Sequence, residues 1–447
     1  MIAPARTAAF HALRAIAAQR VDLPAALVRA RTQLADERDR ALAAEIVTGT
    51  LRWQRALDHL IEHFAKRPIS KIDADVVLIL RLSLYQLLHL DRVPASAVVD
   101  DAVDMTRGAR KQSAAGFVNA VLRSTLRNRH RLPLPPRPEE NNGDAAIAYL
   151  GTTHSHPDWL ASRWLARYGF DAAERWVRFN NETPPLAVRT NRLRLTREEL
   201  SAALGNEGIE TTPARYAPDG LIVTAGNPLR LPSTGSFFVQ DEASQLVSLV
   251  VDAQPGERIL DLCASPGGKT TALAAAMRDE GLIVASDVRA RRLRTLAQTV
   301  GASGARSVHV LQVPTVGALP FSPAFDRILV DAPCSGLGTI RRDPDIRWRR
   351  NEADLAALGE RQLQLLERAA HVLAPGGRLV YATCSSEPEE NDVVVDRFIA
   401  GNPEFAAVDL RGTVPALEPL LDERGMLRTL PFVHGLEAFF AAALTHR

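Results

Sequence analysis

From about residue 236 onward, short apolar runs alternate with stretches of helical periodicity. Buried parallel strands are continuous apolar runs, and helices connect them on both faces of the sheet. The pattern therefore predicts an α/β domain with a parallel sheet over residues 236–447. The predicted strands are 258–262, 282–286, 308–312, 327–330 and 379–383, with 436–444 as a final strand. The predicted helices are 270–277, 289–300, 352–372 and 389–400.

Three segments precede this domain. Residues 1–130 carry apolar side chains at helical spacing without strand-like alternation, which predicts an all-α domain. Residues 131–149 contain a cluster of prolines, which is typical of a semi-rigid linker. Residues 150–235 mix a helical stretch, 159–168, with a strand, 186–191, and predict a small α+β subdomain.

The composition excludes several classes of protein. The 447 residues are 46% hydrophobic and 24% charged, with a net charge of +2, so any nucleic-acid binding must come from local clusters. Three cysteines are too few for a disulfide framework and fit a reducing compartment. No signal peptide and no apolar stretch of about 18 residues is evident, so we expect a cytoplasmic protein without a membrane partner. We also expect a monomer.

Two of the cysteines follow predicted strands. Cys334 lies in the sequence DAPCSG after strand 327–330, and Cys384 lies in ATCS at the end of strand 379–383. Ligands of open α/β sheets bind beyond the carboxyl ends of the strands, so both thiols are expected at one cleft. There a thiolate can add covalently to an electrophilic carbon. Zinc is rejected because it needs about four ligands and no histidine lies near either motif.

A glycine-containing turn joins the first predicted strand of the domain to its first helix, over Asp261–Thr270. Two glycines permit close approach of a ligand to the backbone, and a helix N-terminus offers unpaired N–H groups. Asp287 ends the second strand, where a carboxylate can accept hydrogen bonds from a ribose. The spacing matches neither a Walker A loop nor GxGxxG. The alternative is a turn that only closes the strand–helix corner.

Arginines cluster in three places. One cluster lies in residues 107–131, a second accompanies the tryptophans of residues 159–189, and a third occupies 341–350 around Trp348. Arginine and aromatic side chains suit phosphate binding and base stacking. The alternatives are a solvated charged face for the arginines and a hydrophobic core for the tryptophans. The RNA contacts that we predict are Arg341, Arg342, Arg347, Trp348, Arg189 and Asn191.

The motifs DLCASPGGKT, DAPCSGLG and ATCS together resemble those of the Nol/Nop/Sun family of RNA cytosine-C5 methyltransferases. Residues 184–191 and 239–244 are similar to the segments that precede that family's catalytic domain. Residues 5–127 resemble a NusB-type RNA-binding domain. The resemblance implies a Rossmann-like S-adenosylmethionine-dependent methyltransferase domain behind a NusB-like domain. Family members with this domain order methylate small-subunit (16S) ribosomal RNA, so the expected partner is that RNA or a small-subunit assembly intermediate.

The same resemblance implies a role for each site residue. Cys384 is the expected nucleophile toward C6 of the target cytosine, Cys334 assists breakdown of the adduct, and Asp331 hydrogen-bonds or protonates N3. No metal is expected. Cys263 is also interpretable as a small packing residue within the cofactor loop. The cofactor-binding residues implied are Cys263, Ala264, Ser265, Pro266, Gly267, Gly268, Lys269, Asp287 and Asp331.

One feature departs from the family pattern. The family carries an aspartate after its third strand that contacts the cofactor, whereas residues 309–319 contain no acidic residue. Gln312 is a possible substitute. Two alternatives therefore stay open beside 16S ribosomal RNA methylation: the same chemistry on transfer RNA, and an RNA-binding or assembly factor with a vestigial methyltransferase fold. Methylation of a small molecule is disfavoured by the separate helical domain.

Overall fold

The computed structural model describes residues 2–139, 143–232 and 234–446. These residues form two compact units, one comprising 1–182 with 340–350 and the other comprising 183–339 with 351–447. The helices are α1 (Pro4–Ala17), α2 (Leu23–Gln33), α3 (Glu37–Arg52), α4 (Gln54–Ala65), α5 (Ala74–His89), α6 (Ala95–Gly108), α7 (Ala115–Arg127), α8 (Gly143–Ala148), α9 (Asp158–Tyr168), α10 (Phe170–Asn181), α11 (Arg197–Asn206), α12 (Glu242–Val251), α13 (Gly268–Ala276), α14 (Ala290–Ser303), α15 (Ile346–Arg349), α16 (Ala353–Ala370), α17 (Asp392–Gly401) and α18 (Pro431–His434).

The strands lie in the second unit. They are β1 (Leu186–Thr190), β2 (Glu210–Pro213), β3 (Gly220–Ala225), β4 (Phe237–Val239), β5 (Arg258–Asp261), β6 (Leu282–Asp287), β7 (Val308–Gln312), β8 (Phe325–Asp331), β9 (Leu373–Thr383), β10 (Phe405–Val408), β11 (Leu427–Arg428) and β12 (Phe440–His446).

The first unit is helical because its apolar residues recur on one face of each helix. The side chains of α1 to α7 share one core, with Leu13, Ile46 and Ile79 at 2% exposure or less. Aspartates cap three of these helices, and in each case the carboxylate accepts a hydrogen bond from a backbone N–H of the first turn. The predicted all-α domain over 1–130 is thus helical as expected. Within the described residues, no helix is both long and apolar enough to span a membrane.

Residues 150–182 belong to the first unit, whereas the sequence grouped them with the strands that follow. Trp164 of α9 and Trp176 of α10 are buried and stack on each other, with ring centroids 4.6 Å apart. These two tryptophans are therefore core residues, which is the alternative to base stacking. The predicted linker 131–149 contains helix α8 near its end, and Ala146 of this helix is buried. Residues 140–142 of the linker lie outside the described part of the chain.

The second unit contains two sheets. The smaller sheet is antiparallel in the order β2-β3-β1-β4. Helix α11 packs on it through Leu200 and Leu204, which share a cluster with Val188 and Leu221. This helix begins at a capping box in which Thr196 and Glu199 bond each other's backbone N–H groups.

The larger sheet has the order β10-β12-β9-β8-β5-β6-β7, with β11 pairing to β12. Strands β5 to β9 are parallel, and β12 and β10 are antiparallel to their neighbours. From β5 the chain moves to β6 and β7 on one side and later returns to β8 and β9 on the other. This reversal leaves a crevice at the carboxyl ends of β5 and β8, where α/β proteins bind ligands. The Rossmann-like α/β prediction is confirmed.

Burial on both faces explains the apolar strands. In β8, Ile328 and Val330 face the core shared with α16 and α17, whereas Leu329 faces the core shared with α12 and α13. All three side chains are fully buried, and each such burial stabilises the fold by about 1.5–3 kcal/mol. The interior of the sheet is therefore well specified by sequence.

The structure corrects several element boundaries. Strand β9 begins at Leu373 rather than at residue 379, and α14 ends at Ser303 rather than at residue 300. The final strand begins at Phe440 rather than at residue 436, because the preceding residues bond to loops: the Ala438 N–H donates to the Gly338 carbonyl. Helix α17 begins at Asp392, and Pro388–Glu390 form a separate 3-10 turn. The sequence predicted Glu389 and Glu390 in the first turn of that helix, whereas the structure places both of them before it.

Candidate active site

The two cysteines that follow predicted strands lie side by side. Strands β8 and β9 are parallel neighbours with Asp331 opposite Ala382, so Cys334 and Cys384 leave the sheet at the same edge. Their Sγ atoms are 3.2 Å apart, both thiols are free of disulfides, and both are partly exposed. The predicted convergence of the two thiols at one sheet edge is thus present in the structure.

Gly338 allows the two cysteine loops to approach closely. Its N–H donates to the Cys384 carbonyl over 3.0 Å, and its own carbonyl accepts from Ala438 N–H over 3.0 Å. A Cβ at this position would lie 1.9 Å from the Ala438 carbonyl oxygen. Only glycine fits this approach, so Gly338 fixes the backbone that carries Cys384.

A buried carboxylate connects the same loops. Glu390 is fully buried and accepts hydrogen bonds from Ser335, the residue after Cys334, and from Ser385, the residue after Cys384. Gln362 of α16 donates a further hydrogen bond over 3.0 Å. The 3-10 turn that holds Glu390 places its carboxylate inside the site, whereas the sequence predicted only a helix over 389–400.

The predicted cofactor loop runs from β5 into α13. Gly267, at the start of α13, has φ +107°, and a Cβ there would lie 2.9 Å from the Leu296 Cδ1 of α14. Glycine is therefore required both by the backbone conformation and by the close packing of α14. Ala264 is buried, and its N–H donates to the Ser286 carbonyl. At the turn, Ser265 is partly exposed and Pro266 is exposed.

Two carboxylates border this loop. Asp261 at the end of β5 is fully buried, and one of its oxygens accepts from the Thr270 hydroxyl over 2.7 Å. The other oxygen, Oδ1, is buried without a hydrogen-bond partner. Burial raises the pKa of Asp261 from 3.8 to about 7, and the hydrogen bond from Thr270 opposes that shift. Asp287 at the end of β6 is 4% exposed and accepts from the Arg289 N–H over 3.0 Å.

Gln312 occupies the strand end beside Asp287. It lies opposite Asp287 in the β6–β7 register, and its side-chain amide donates to the Val288 carbonyl over 3.1 Å. The side chain is exposed. Gln312 thus places a neutral hydrogen-bonding side chain at the end of β7, beside Asp287.

Lys269 and Asp331 form an ion pair between the cofactor loop and the first cysteine loop. The Lys269 Nζ lies 2.7 Å from Asp331 Oδ2. Burial lowers the pKa of Lys269, but the charge of Asp331, the hydrogen bond to it and the charge of Cys384 raise it, and the net pKa is above its usual value. Lys269 is therefore a protonated ammonium group that interacts with Cys384.

Cys263 and Cys334 differ from a reactive thiol. Burial, followed by the charges of Asp331 and Asp261, raises the pKa of Cys263, and its side chain packs against the core beneath α16. The hydrogen bond with Cys384, followed by burial, raises the pKa of Cys334 well above its usual value. Since the thiolate is the nucleophile, neither residue is favoured for attack.

The arginine-rich segment 340–350 packs within the first unit. Arg347 is fully buried and donates to the carbonyls of Ser155 over 2.8 Å and Asn180 over 3.3 Å. The Trp348 indole N–H donates to the Leu51 carbonyl over 2.7 Å. This burial argues against the predicted RNA contact by Arg347, because its two terminal guanidinium nitrogens donate to groups of the protein interior.

The other predicted RNA contacts also have protein partners. Arg341 lies over the Phe179 ring at 4.3 Å and pairs with Glu182 over 3.3 Å, while Arg342 is partly exposed. Arg189 is 3% exposed and donates to Gln240 and to the Thr271 hydroxyl, each over 2.7 Å. Asn191 is fully buried and donates to the carbonyls of Gly235 and Ser303. The burial of Arg189 and Asn191 also argues against direct RNA contact.

Two further expectations concern charge and metals. The arginines at 107, 110, 123, 127, 129 and 131 are exposed, as either a solvated face or an RNA surface requires. Among the described residues, no group of three or more His, Cys, Asp or Glu side chains is arranged to hold a metal ion.

Sequence reasoning missed three residues of the site. Asp261 and Gly338 lay within quoted motifs and Glu390 lay in the predicted helix 389–400, but none of them received a role in the chemistry. An acid that ends a buried strand was a usable signal for Asp261. Nothing local distinguishes Glu390 from Glu389, because only the packing of the 3-10 turn places one of them inside.

These features define a Rossmann-like methyltransferase domain with paired thiols at the cofactor crevice. Three family models match the chain: 16S rRNA methyltransferase RsmB/F over 248–445, the NusB family over 3–127, and the Methyltr_RsmF/B-like, ferredoxin-like domain over 156–230. The chain belongs to the RsmB/F family of 16S rRNA methyltransferases.

Similar proteins cover most of the chain. A protein of Synechocystis sp. named probable ribosomal RNA small subunit methyltransferase B is 36% identical over 91% of this chain and 91% of its own length. Ribosomal RNA small subunit methyltransferase B of Pseudomonas putida is 35% identical over 91% of each chain. The crystal structure of PH0851 is 27% identical and matches with a TM-score of 0.81 over 99% of each chain.

Proposed function

We propose that this protein transfers a methyl group from S-adenosylmethionine to C5 of a specific cytosine in 16S ribosomal RNA through a covalent cysteine–C6 adduct. The observation that carries the proposal is the 3.2 Å separation of the Cys334 and Cys384 sulfurs at the ends of adjacent parallel strands. C5 of cytosine is a poor nucleophile until a thiolate adds at C6, and a covalent intermediate splits one difficult step into two.

The residues of the crevice fit S-adenosylmethionine. Asp261 Oδ1 is a buried oxygen without a partner, Gly267 leaves no room for a side chain, and the first turn of α13 presents backbone N–H groups. We assign the ribose hydroxyls to Asp287, with segment 263–269 and Asp331 around the rest of the cofactor. When bound, S-adenosylmethionine supplies the methyl group as an electrophile.

Charge supports Cys384 as the nucleophile. The Lys269 ammonium interacts with Cys384, whereas the pKa of Cys334 is raised by its hydrogen bond to Cys384 and by burial. We therefore assign attack on C6 to Cys384, the thiol that interacts with the Lys269 cation. Cys334 is assigned to breakdown of the adduct: after it has released its own proton to solvent, its thiolate accepts the C5 proton while the bond between C6 and the Cys384 sulfur breaks and Cys384 leaves as a thiolate.

Asp331 is assigned to the N3 edge of the base. One of its oxygens accepts from Lys269, which fixes the carboxyl group at the start of the Cys334 loop. Asp331 is assigned to hold a proton on N3: its second oxygen accepts a hydrogen bond from the N3–H of the protonated base, and the positive charge on the ring draws electrons from C6. The target base must leave its stack to reach this crevice, which costs on the order of a few kcal/mol.

Bisulfite mapping of ribosomal RNA tests the proposal. In a strain that lacks the gene, we expect one 5-methylcytosine of 16S ribosomal RNA to disappear. Wild-type protein should restore it, and Cys384→Ala should not, with activity at least about 10³-fold lower in vitro. Glu360→Gln, on the exposed face of α16, is the control substitution. Transfer RNA is mapped in parallel, and methylation confined to transfer RNA would contradict the choice of substrate.

The two cysteines are separated by a second experiment. Cys334→Ala should accumulate an RNA–protein adduct that survives a denaturing gel, because attack remains and release is slowed. Cys384→Ala and the double variant should form none. Absence of an adduct with Cys334→Ala would overturn the assigned roles.

The neutral Gln312 motivates one rival function, an RNA-binding or assembly factor with a vestigial methyltransferase fold. Calorimetry distinguishes the two, since that rival predicts no binding of S-adenosylmethionine.

A further inference from the structure

Glu390 is a fully buried carboxylate that contacts the residue next to each cysteine. Its Oε1 accepts from the Ser335 N–H over 2.7 Å, and its Oε2 accepts from the hydroxyls of Ser335 and Ser385, each over 2.5 Å. Ser335 follows Cys334, and Ser385 follows Cys384. One side chain therefore connects both cysteine loops.

The partners of this carboxylate are hydrogen-bond donors. The Ser335 N–H and the Gln362 amide N–H, 3.0 Å from Oε1, can only donate, and a carboxylate can only accept. Tyr381 supports the turn from β9, where its hydroxyl donates to the Glu390 backbone carbonyl over 2.5 Å. The donor set is matched to an anionic acceptor, which a neutral amide would satisfy less well.

We propose that Glu390 is a positioning residue that holds the two cysteine loops at their spacing and, as a carboxylate bonded to Ser335, opposes negative charge on the adjacent Cys334. The proposal rests on the proposed function in that the two thiols act on the same base. It adds what makes two chemically identical thiols inequivalent.

The surrounding charges are arranged in the required sense. The largest influence that raises the pKa of Cys334 is its hydrogen bond with Cys384, followed by burial, the charge of Cys384 and the charge of Glu390. On the other side of the pair, the Lys269 ammonium interacts with Cys384 and is itself paired with Asp331. The charge of Glu390 thus opposes ionisation of Cys334, and the Lys269 ammonium interacts with Cys384.

Glu390→Gln tests the charge with little change of shape. Alkylation by iodoacetamide is followed separately for each cysteine by mass spectrometry near neutral pH, on the full-length protein without RNA. We expect Cys334 to react about three- to tenfold faster in the variant, because half to one pKa unit changes the thiolate fraction by that factor. Cys263, whose pKa is set by burial and by Asp331, Asp261 and Asp287, should react as in the wild type.

Kinetics supply the second readout. In Glu390→Gln we expect kcat to fall by about tenfold or more, since small displacements of reacting groups cost up to about 10²-fold. KM for S-adenosylmethionine should stay within about twofold, because Glu390 does not contact the cofactor loop through any of its hydrogen bonds. Glu360→Gln is the matched control: the same chemical change on the exposed face of α16, where Glu360 pairs with Arg397.

The outcomes separate this proposal from a general loss of structure. Unchanged Cys334 alkylation in Glu390→Gln, with Cys263 also unchanged, would overturn it. Faster alkylation of both Cys334 and Cys263 would indicate a loosened fold. Glu390→Asp then separates the loss of charge from the loss of positioning, because it keeps the carboxylate and shortens the side chain. Lower kcat with wild-type Cys334 alkylation in Glu390→Asp supports the proposal, and wild-type kcat contradicts it. The alkylation result needs no RNA, so it stands even if the wild type methylates no RNA.

Discussion

The cysteine loops and the arginine-rich segment 340–350 were both predicted to act on RNA, and the structure uses them differently. At the ends of β8 and β9, two partly exposed thiols lie 3.2 Å apart beside an ion pair. In the arginine-rich segment, Arg347 is fully buried and bonds to backbone carbonyls. The cysteine motifs place reactive groups at a crevice, whereas the arginine-rich segment contributes buried side chains to the interior of the first unit.

The reason lies in what fixes each side chain. A residue that follows a parallel strand is confined to one edge of the sheet by the backbone register, so its place is determined by short-range pattern. An arginine has a long side chain that can point to solvent or find acceptors from distant parts of the sequence. Charge alone therefore does not indicate exposure.

The largest effect is expected from Gly338→Ala at the cysteine loops. The new Cβ would meet the Ala438 carbonyl oxygen at 1.9 Å, so the loop that bonds the Cys384 carbonyl must move. We expect kcat for methylation to fall by about 10²-fold. Gly205→Ala in α11 is the control and should keep full activity, because a Cβ added there would meet no other described residue within 4 Å. A Gly338→Ala variant with wild-type kcat would show that the loop spacing does not matter.

A smaller effect is expected from Arg347→Met in the arginine-rich segment. The substitution leaves the carbonyls of Ser155 and Asn180 without a donor, so we expect the free energy of unfolding to drop by about 2–3 kcal/mol. Arg107→Met in α6 removes only an exposed pair with Asp104 and should cost about 1 kcal/mol or less. Thermal melting measures both. An unchanged melting temperature together with weaker RNA binding would restore the RNA-contact interpretation.

The smallest effect, counted per pH unit, concerns the carboxylate beneath the cofactor loop. The pKa of Asp261 is raised from 3.8 to about 7, so the folded protein holds a proton on it between those values and the unfolded chain does not. Its contribution to stability is thus present at low pH and is lost as the pH rises through about 7. Asp261→Asn should remove this dependence, which has a limit of about 1.4 kcal/mol per pH unit.

Urea denaturation across this pH range, as the difference between wild type and variant, measures the Asp261 effect. Asp171→Asn, at a strongly exposed carboxylate, is the control. A difference that is flat with pH would show that Asp261 is not protonated in the folded protein.

Prediction from sequence was most accurate where burial dictated the pattern. The predicted strands at 258–262, 282–286, 308–312 and 327–330 agree with β5 to β8 to within two residues at each end. It was least accurate where polar side chains chose distant partners. Asn191 looked like an exposed polar residue, yet it bonds to Ser303, more than a hundred residues later in the chain.

By itself the sequence determined the order of strands and helices, and it determined that two cysteines would leave the sheet at one edge. Continuous apolar runs and strand-end positions carry that information locally. Only the tertiary structure decided that Glu390 rather than Glu389 would bridge the cysteine loops, and that Arg347 would be an interior residue. A buried polar group must find its hydrogen-bond partners wherever the fold brings them, and those partners are distant in sequence.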